Sequence, residues 1–165
     1  MMNILDRNRR FFLCMICCSI DSAAYDTART HALIDLAQSK SLADELAQAL
    51  RNREPLMVMV SLHACPFCHE VRQNYLLPLK QAGFPIVQVD MRSSSRVRDF
   101  SGSETTHATL VRRWEVRLAP TVLFFGPNGR EVAERLEGAY VPDFYGGYLD
   151  QRIATARAQV RAAGF

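Results

Sequence analysis

Two cysteines separated by two residues, Cys65 and Cys68, lie where a predicted strand meets a predicted helix. The apolar run before them, residues 56–62, is typical of a strand buried on both faces, and the periodic pattern after them is typical of a helix. Pro66 falls at the first helical position, where its missing N–H group costs nothing. Unpaired N–H groups and the partial positive charge at a helix N-terminus favour a thiolate beside them. The junction therefore predicts a site for thiol–disulfide exchange.

The first 24 residues have the three-part pattern of a secretory signal. Three arginines precede an apolar stretch at residues 11–20, and small residues then permit cleavage before Tyr25. We therefore predict a signal peptide at residues 1–24, a mature domain at residues 25–165 and a periplasmic location. A twin arginine in this stretch also resembles the twin-arginine export signal, but we favour a general export signal.

Export would change the number of cysteines in the protein. Three of the five cysteines lie within the predicted signal, so the mature chain keeps only Cys65 and Cys68. A lone, closely spaced pair in an exported protein is better explained as catalytic than as architectural. Closing so short a loop would also stabilise the fold very little.

Charge and composition limit the classes of partner. The formal net charge of +3 is too small to indicate a nucleic-acid partner. No apolar run approaches the roughly 20 residues of a spanning helix, so we expect no stable membrane anchor in the mature form. Structural zinc usually takes four ligands, and this chain has one cysteine pair with His63, His69 and His107 as the only other nearby candidates. We expect neither a metal nor an organic cofactor.

The rest of the chain alternates helical and strand-like patterns. Residues 27–52 have a helical pattern, with Ser41 as a candidate N-cap for the second half. Residues 91–103 are polar and are expected to form a loop, or alternatively a basic lip for a partner. Periodicity and turn residues predict strands at residues 86–90, 121–125 and 131–137, a turn at Pro127-Asn128-Gly129, and helices that begin near Thr106 and Pro142.

The helix that follows the cysteines has an apolar stripe. Phe67, Val71 and Tyr75 are spaced at i, i+4 and i+8, so we expect all three to face the core. Pro78 should kink or end this helix near Leu77, because proline cannot continue the hydrogen-bond pattern.

Two histidines, His63 and His69, flank the cysteine pair. Either one, if protonated, would lower the pKa of a neighbouring thiol. The alternative is that both are exposed polar residues, one at a strand end and one in a first helical turn. Both are candidates for tuning the thiol pKa.

This order of elements resembles the thioredoxin superfamily over roughly residues 41–157. The motif Cys65-Pro66-Phe67-Cys68 follows the first core strand, and residues 116–125 look like the family's Val-x-x-x-Pro-Thr segment. Residues 135–140, followed by Pro142 and a helix, look like exported thioredoxin-like proteins such as those of bacterial sulfur-oxidation systems. The resemblance implies an α/β thioredoxin-like fold: a four-stranded mixed sheet flanked by helices, here with an extra N-terminal helical segment.

The resemblance also implies roles for residues. Cys65 would attack a substrate disulfide, and Cys68 would resolve the mixed disulfide. Pro120, in a cis peptide bond, would sit against Cys65 and shape a substrate groove together with Ala119, Pro66 and Phe67. The implied partners are protein thiols and disulfides, with a membrane thiol transporter as the electron donor.

The chain departs from thioredoxin itself near the site. Met59 stands where thioredoxins carry a buried aspartate, so Glu70, His63 or water would have to accept the proton of the second cysteine. Ala64 replaces the tryptophan usual before the first cysteine. The pair between the cysteines, Pro-Phe, is closer to the Pro-Tyr of glutaredoxins than to Gly-Pro.

Three other functions compete with a reductase. The run from Cys65 to His69 also matches Cys-x-x-Cys-His, the attachment motif of c-type haem, although a strand leading directly into the motif argues against that function. A domain that only binds a partner, with incidental cysteines, is the non-enzymatic alternative. A protein-disulfide oxidase is the third, because a stabilised thiolate makes a disulfide more oxidising. We favour a reductase, because Ala64 and Phe67 would surround the sulfur with apolar groups.

Overall fold

Strand β1, Leu56–Ser61, lies in the middle of the structure, and all six of its residues are buried. The computed structural model describes residues 35–139 and 142–165, so the predicted signal peptide at residues 1–24 lies outside the described residues. In chain order the described elements are α1 (Leu42–Arg51), β1, α2 (Pro66–Val71), a π-helical turn (Arg72–Leu76), α3 (Leu77–Gln81), β2 (Ile86–Asp90), β3 (Arg96–Arg98), β4 (Glu104–Thr106), α4 (His107–Arg113), β5 (Thr121–Phe125), a 3-10 turn (Pro127–Gly129), β6 (Leu136–Glu137) and α5 (Pro142–Ala162).

The predicted four-stranded mixed sheet is present, with strand order β2-β1-β5-β6. β1 runs parallel to β2, with Val58 opposite Val87, and antiparallel to β5, with Val58 opposite Leu123. β6 pairs antiparallel with β5. β1 therefore has a hydrogen-bonded neighbour on each side, as its continuous apolar sequence predicts.

Side chains alternate between the two faces of this sheet and form a core on each. The first core contains Met57 and Met59 of β1 together with Cys68 of α2 and Leu149 of α5. The second contains Val58 and Val60 of β1 together with buried leucines of α1 and α4. Among the described helices, none is long and apolar enough to cross a bilayer.

Residues 35–41, which precede α1, are extended, although the sequence predicts a helix over residues 27–52; residues 27–34 lie outside the described residues. Ser41 caps α1 as predicted, and its hydroxyl accepts the N–H of Asp44 at 3.4 Å. Residues 35–41, however, contain no helix. Ser39 N–H donates to the Gln88 carbonyl and Gln88 N–H donates to the Ala37 carbonyl, each at 2.9 Å. The helical prediction is wrong here because these backbone groups pair with the edge of β2.

Of the predicted kink or end near Leu77, the end does not occur: the helix continues past Pro78, with an irregular turn just before the proline. A π-helical turn precedes the proline, and Leu77 N–H donates to the Arg72 carbonyl five residues back. Pro78 then lies in the first turn of α3, where a missing N–H is tolerated. Val71 is buried and Tyr75 is half-buried as expected, but Phe67 is 60% exposed and does not face the core.

Two further segments differ from the predictions. Within residues 91–103, predicted as a loop, β3 pairs antiparallel with β4, and the Asp99 carboxylate closes the turn by accepting the N–H groups of Ser101 and Ser103, both at 3.0 Å. Residues 131–137 form only a bridge from Glu131 to Phe125 and the two-residue β6. Arg135 lies between the bridge and β6, and its side chain donates to the Trp114 carbonyl.

His107, the first residue of α4, joins three parts of the fold. The imidazole is 1% exposed; Nδ1 accepts the Asp90 N–H at 3.2 Å, and Nε2 lies 2.9 Å from the Ser39 carbonyl oxygen. Because Nδ1 is an acceptor, Nε2 carries the proton and donates to Ser39. The ring therefore fixes the extended segment before α1 against β2 and α4.

We predict that His107→Ala lowers the free energy of unfolding by about 2–4 kcal/mol, because it leaves a buried amide unpaired and opens a cavity. Urea denaturation followed by the fluorescence of Trp114 measures the change. The matched control is His63→Ala, an exposed histidine whose loss should change stability by no more than about 0.5 kcal/mol. Equal effects of the two substitutions would contradict the role of His107.

Candidate active site

Cys65 is the N-cap residue of α2. Its Sγ accepts the backbone N–H of Cys68 at 3.2 Å, and Pro66 follows at the first helical position. Ala64, immediately before it, has a left-handed backbone with φ of 55° that turns the chain from β1 into the helix. The sulfur thus takes the place that a serine or aspartate oxygen takes in an ordinary cap. A thiolate at this position gains a charge-assisted hydrogen bond.

Cys68 lies in a very different environment, one turn further into the helix. The residue is fully buried in the first core, while Cys65 is half-buried, and both are free thiols. Burial, the largest cause, and the hydrogen bond with the Cys65 side chain raise the pKa of the Cys68 thiol to about 12. A backbone hydrogen bond from Leu62 and the charge of Arg72 offset only part of this. Cys68 is therefore a protonated thiol at neutral pH.

The peptide bond between Ala119 and Pro120 is cis, as the resemblance implies. Pro120 is buried, and its carbonyl accepts the Gly138 N–H at 2.7 Å. Ala119 is half-buried and packs against the same core as Cys65. Phe67 and Pro66 are exposed beside the first sulfur. These are the four residues predicted to form a substrate groove.

A cavity of about 330 Å³ borders Cys65 on the side of β1 and β2. His63 and His69 are both exposed and line this cavity, and Arg72 contributes to its wall. The cavity contains neither Ala119 nor Pro120. It shares Pro66 with the predicted groove and otherwise has a different lining.

Sequence reasoning did not identify the polar groups of this cavity. Arg72 forms an ion pair with Asp35 at 2.9 Å and donates to Gln88 and Ser61, each at 3.1 Å. Gln88 and Ser61 are polar residues inside otherwise apolar strands, and both are less than 5% exposed. That interruption of the apolar pattern was the signal that could have revealed them.

Met59 is fully buried in the core that contains Cys68. No carboxylate is among the groups that shift the Cys68 pKa, so the described structure has no buried acid at this sulfur. Glu70 is half-buried on α2, and His63 is exposed at the cavity. In the described ranges, no cluster of three or more metal-ligating side chains occurs.

Comparisons with known proteins agree with this arrangement. A family model described as a thioredoxin-like domain matches residues 42–153. Among solved structures, the thioredoxin of Thermus thermophilus aligns with a TM-score of 0.52 at 20% identity, covering 78% of this chain and 93% of that one. The match to the oxidised mitochondrial thioredoxin 3 of Saccharomyces cerevisiae has a TM-score of 0.47 at 19% identity and covers 72% and 93% of the two chains.

The reduced periplasmic thioredoxin SoxS of Paracoccus pantotrophus aligns with a TM-score of 0.41 at 19% identity, covering 62% of this chain and 99% of that one. A search of curated protein sequences finds no match.

The fold, the cysteine pair at a helix N-terminus and the cis proline together define a thioredoxin-like thiol–disulfide oxidoreductase. The chain belongs to the thioredoxin-like domain family, whose model covers well over half of it. The superfamily and fold class predicted from the sequence are thus confirmed.

We predict that iodoacetamide modifies Cys65 and not Cys68 in the native, reduced protein at about pH 7, because a buried, protonated thiol does not react. Modification of Cys68 should become fast only as the pH approaches its pKa of about 12. Peptide mass spectrometry after a timed reaction identifies the modified residue. The control is the same reaction in denaturant, where both cysteines should be modified; equal labelling of both in the native state would contradict the different environments of the two sulfurs.

Proposed function

We propose that the mature protein is a thiol–disulfide reductase that acts on protein disulfides outside the cytoplasm. The hydrogen bond from the Cys68 N–H to the Cys65 sulfur carries the exchange chemistry of this proposal, because it places a donor at the sulfur on which negative charge develops. In the proposed reaction, Cys65 attacks one sulfur of a substrate disulfide, and the other sulfur leaves as a thiolate. Cys68 then attacks Cys65, which releases the reduced substrate and leaves an intramolecular disulfide.

The second step requires Cys68 to lose its proton. Because burial raises its pKa to about 12, the attack must be coupled to proton transfer. Glu70, His63 and water in the cavity beside Cys65 are the candidate acceptors. Met59 cannot serve, since a thioether has no basic site for this proton.

The burial of Cys68 and the charged side chains near the pair support the reducing direction, because they add little stabilisation to the dithiol form. A disulfide is strongly oxidising when its dithiol form is stabilised by ionisation. Burial keeps Cys68 protonated, so ionisation of this sulfur does not stabilise the dithiol. His63 and His69 are exposed, where solvent screens their charges. Arg72 is paired with Asp35. The alternative is a protein-disulfide oxidase.

The exposed aromatic ring of Phe67 supports a protein substrate. It is among the most exposed large apolar side chains of the described residues and directly follows Pro66. An exposed ring next to a nucleophile suits contact with an extended apolar segment. We assign Phe67, Pro66, Ala119 and Pro120 to the substrate groove. The oxidised protein would be reduced by a membrane thiol transporter.

The burial of Cys68 disfavours c-type haem attachment. Both cysteines of a Cys-x-x-Cys-His motif must reach the haem edge to form thioethers. Cys68 is fully buried among core residues including Met57 and Met59, so the bond would require the core to open. His69, the candidate axial ligand, is exposed on the first turn of α2.

The proposed roles of the cysteines predict different trapping behaviour. When the full chain with Cys68→Ala is expressed, mixed disulfides with substrate proteins should accumulate, because nothing resolves them. The control, Cys65→Ala, should trap none. Non-reducing electrophoresis of the periplasmic fraction measures trapping, and the mass of the recovered chain reports whether it begins at Tyr25. Equal trapping by both variants would overturn the order of attack, and recovery only from the cytoplasm would overturn the location.

The direction of electron flow is tested by the redox potential. Equilibration of the Cys65–Cys68 couple with glutathione buffers should give a value nearer to about −270 mV, as for thioredoxin, than to about −120 mV, as for strong oxidants. Alkylation and mass measurement quantify the two forms, with Cys65→Ala as the variant that cannot form the intramolecular disulfide. A value near that of the strong oxidants would assign the protein as an oxidase.

A further inference from the structure

The cavity beside Cys65 has a cation in its wall. Arg72 follows α2 directly, and its side chain is only 14% exposed. Cys65 and Arg72 line the same cavity, whose volume is about 330 Å³. Burying a guanidinium costs free energy unless other groups pair with it. The groups that contact Arg72 therefore determine what it can bind.

Two neutral side chains contact the guanidinium in addition to the Asp35 carboxylate, which lies 2.9 Å from its Nε. Its Nε donates to Gln88 Oε1 and its Nη2 to Ser61 Oγ, each at 3.1 Å. Both partners are buried residues of the central sheet, so the orientation of the guanidinium is fixed before any ligand arrives. Among the described residues, none accepts a hydrogen bond from Nη1. Arginine offers five N–H donors in a planar fork that matches a carboxylate, and Nη1 is the donor of that fork with which a ligand would pair.

The ion-pair partner of Arg72 is a solvent-exposed carboxylate. Its single ion pair in the described structure is with Asp35, whose side chain is 52% exposed in the extended segment before α1. The other carboxylate of the cavity wall, Asp90, accepts the Arg92 N–H at 2.8 Å. The contact with Asp35 demonstrates that a carboxylate fits against this guanidinium.

The volume of the cavity limits the size of the ligand. It lies near the small end of the range for ligand sites, roughly 300–1,000 Å³. A chain of a few carbons fits this space, whereas a folded protein domain does not. The cavity therefore suits a low-molecular-weight compound, with one end at Arg72 and the other at the sulfur of Cys65.

From these observations we propose that the cavity binds small disulfides that carry a carboxylate, with Arg72 pairing with the carboxylate and Cys65 attacking the disulfide. This rests on the proposed thiol–disulfide exchange and adds a second substrate class to it. Cys65 forms a bond to one ligand sulfur, and the other ligand sulfur leaves as a thiolate. Cys68 then displaces the first half, so the two protein thiols are oxidised and the ligand becomes two thiols, with two electrons and two protons transferred.

The test compares two small disulfides of similar size. Reduced protein with the native sequence is mixed with 3,3′-dithiodipropionate, which carries two carboxylates, or with bis(2-hydroxyethyl) disulfide, which is neutral. Each rate constant is divided by that of the same disulfide with 2-mercaptoethanol, which corrects for intrinsic reactivity. We expect a normalised preference of about tenfold for the carboxylate compound, the size expected of a hydrogen-bonded charge pair.

Charge variants separate the site from the general charge of the protein. Arg72→Gln should reduce the preference to about one, and Arg72→Lys should restore only part of it, because lysine lacks the planar fork. Arg161→Gln, an exposed arginine near the end of α5, makes the same change in net charge and should keep the preference. Asp35→Asn removes the competing carboxylate and should increase the preference, which tests the site without altering Arg72.

The outcomes distinguish the two proposals. Retention of the preference in Arg72→Gln, or an equal loss in Arg161→Gln, would overturn the carboxylate site and leave the exchange activity intact. Equal normalised rates for both disulfides with the native sequence would do the same. If the reduced protein reacts with neither disulfide, the proposed exchange itself fails, and the site fails with it. Should Arg72→Gln not fold, an unchanged preference in Asp35→Asn would overturn the site.

Discussion

The burial of β1 on both faces is the constraint on which the rest of the structure depends. Five of its six residues supply side chains to the two cores, and its backbone pairs with a parallel strand on one side and an antiparallel strand on the other. Because such a strand cannot shift register without exposing apolar groups, its end is fixed in space. The turn that follows therefore places Cys65 at the same point relative to the helices and the cis peptide bond at Pro120.

The two sulfurs lie in different environments although only one helical turn separates them. Cys65 is half-buried and caps α2, where a backbone N–H donates to its sulfur, while Cys68 is fully buried in a core of methionines and aromatic residues that favours the thiol. The two residues are only three positions apart at the start of one helix. Burial is the largest cause of the raised pKa of Cys68. This asymmetry is sufficient for one sulfur to start an exchange and the other to finish it.

Much of the fold could be predicted, because its signals are local. The strand before Cys65 and the caps at Ser41 and Thr106 each follow from a short stretch of sequence. What could not be predicted depends on tertiary contacts. The extended segment before α1 has helical spacing but pairs with β2, and the polar groups around Arg72 come together from three distant stretches. Phe67 fits a helical stripe but is exposed, since the first turn of α2 extends beyond the core.

The extended segment before α1 also closes one border of the sheet. β2 would otherwise present a row of free backbone N–H and C=O groups, a ready template for another chain. The paired contacts between residues 37–39 and Gln88 occupy the middle of that row. At the opposite border, β6 is only two residues long and offers little to a neighbour. The sheet is thereby protected against strand-to-strand association at both borders, and at β2 this protection comes from a stretch outside the helices and strands of the domain.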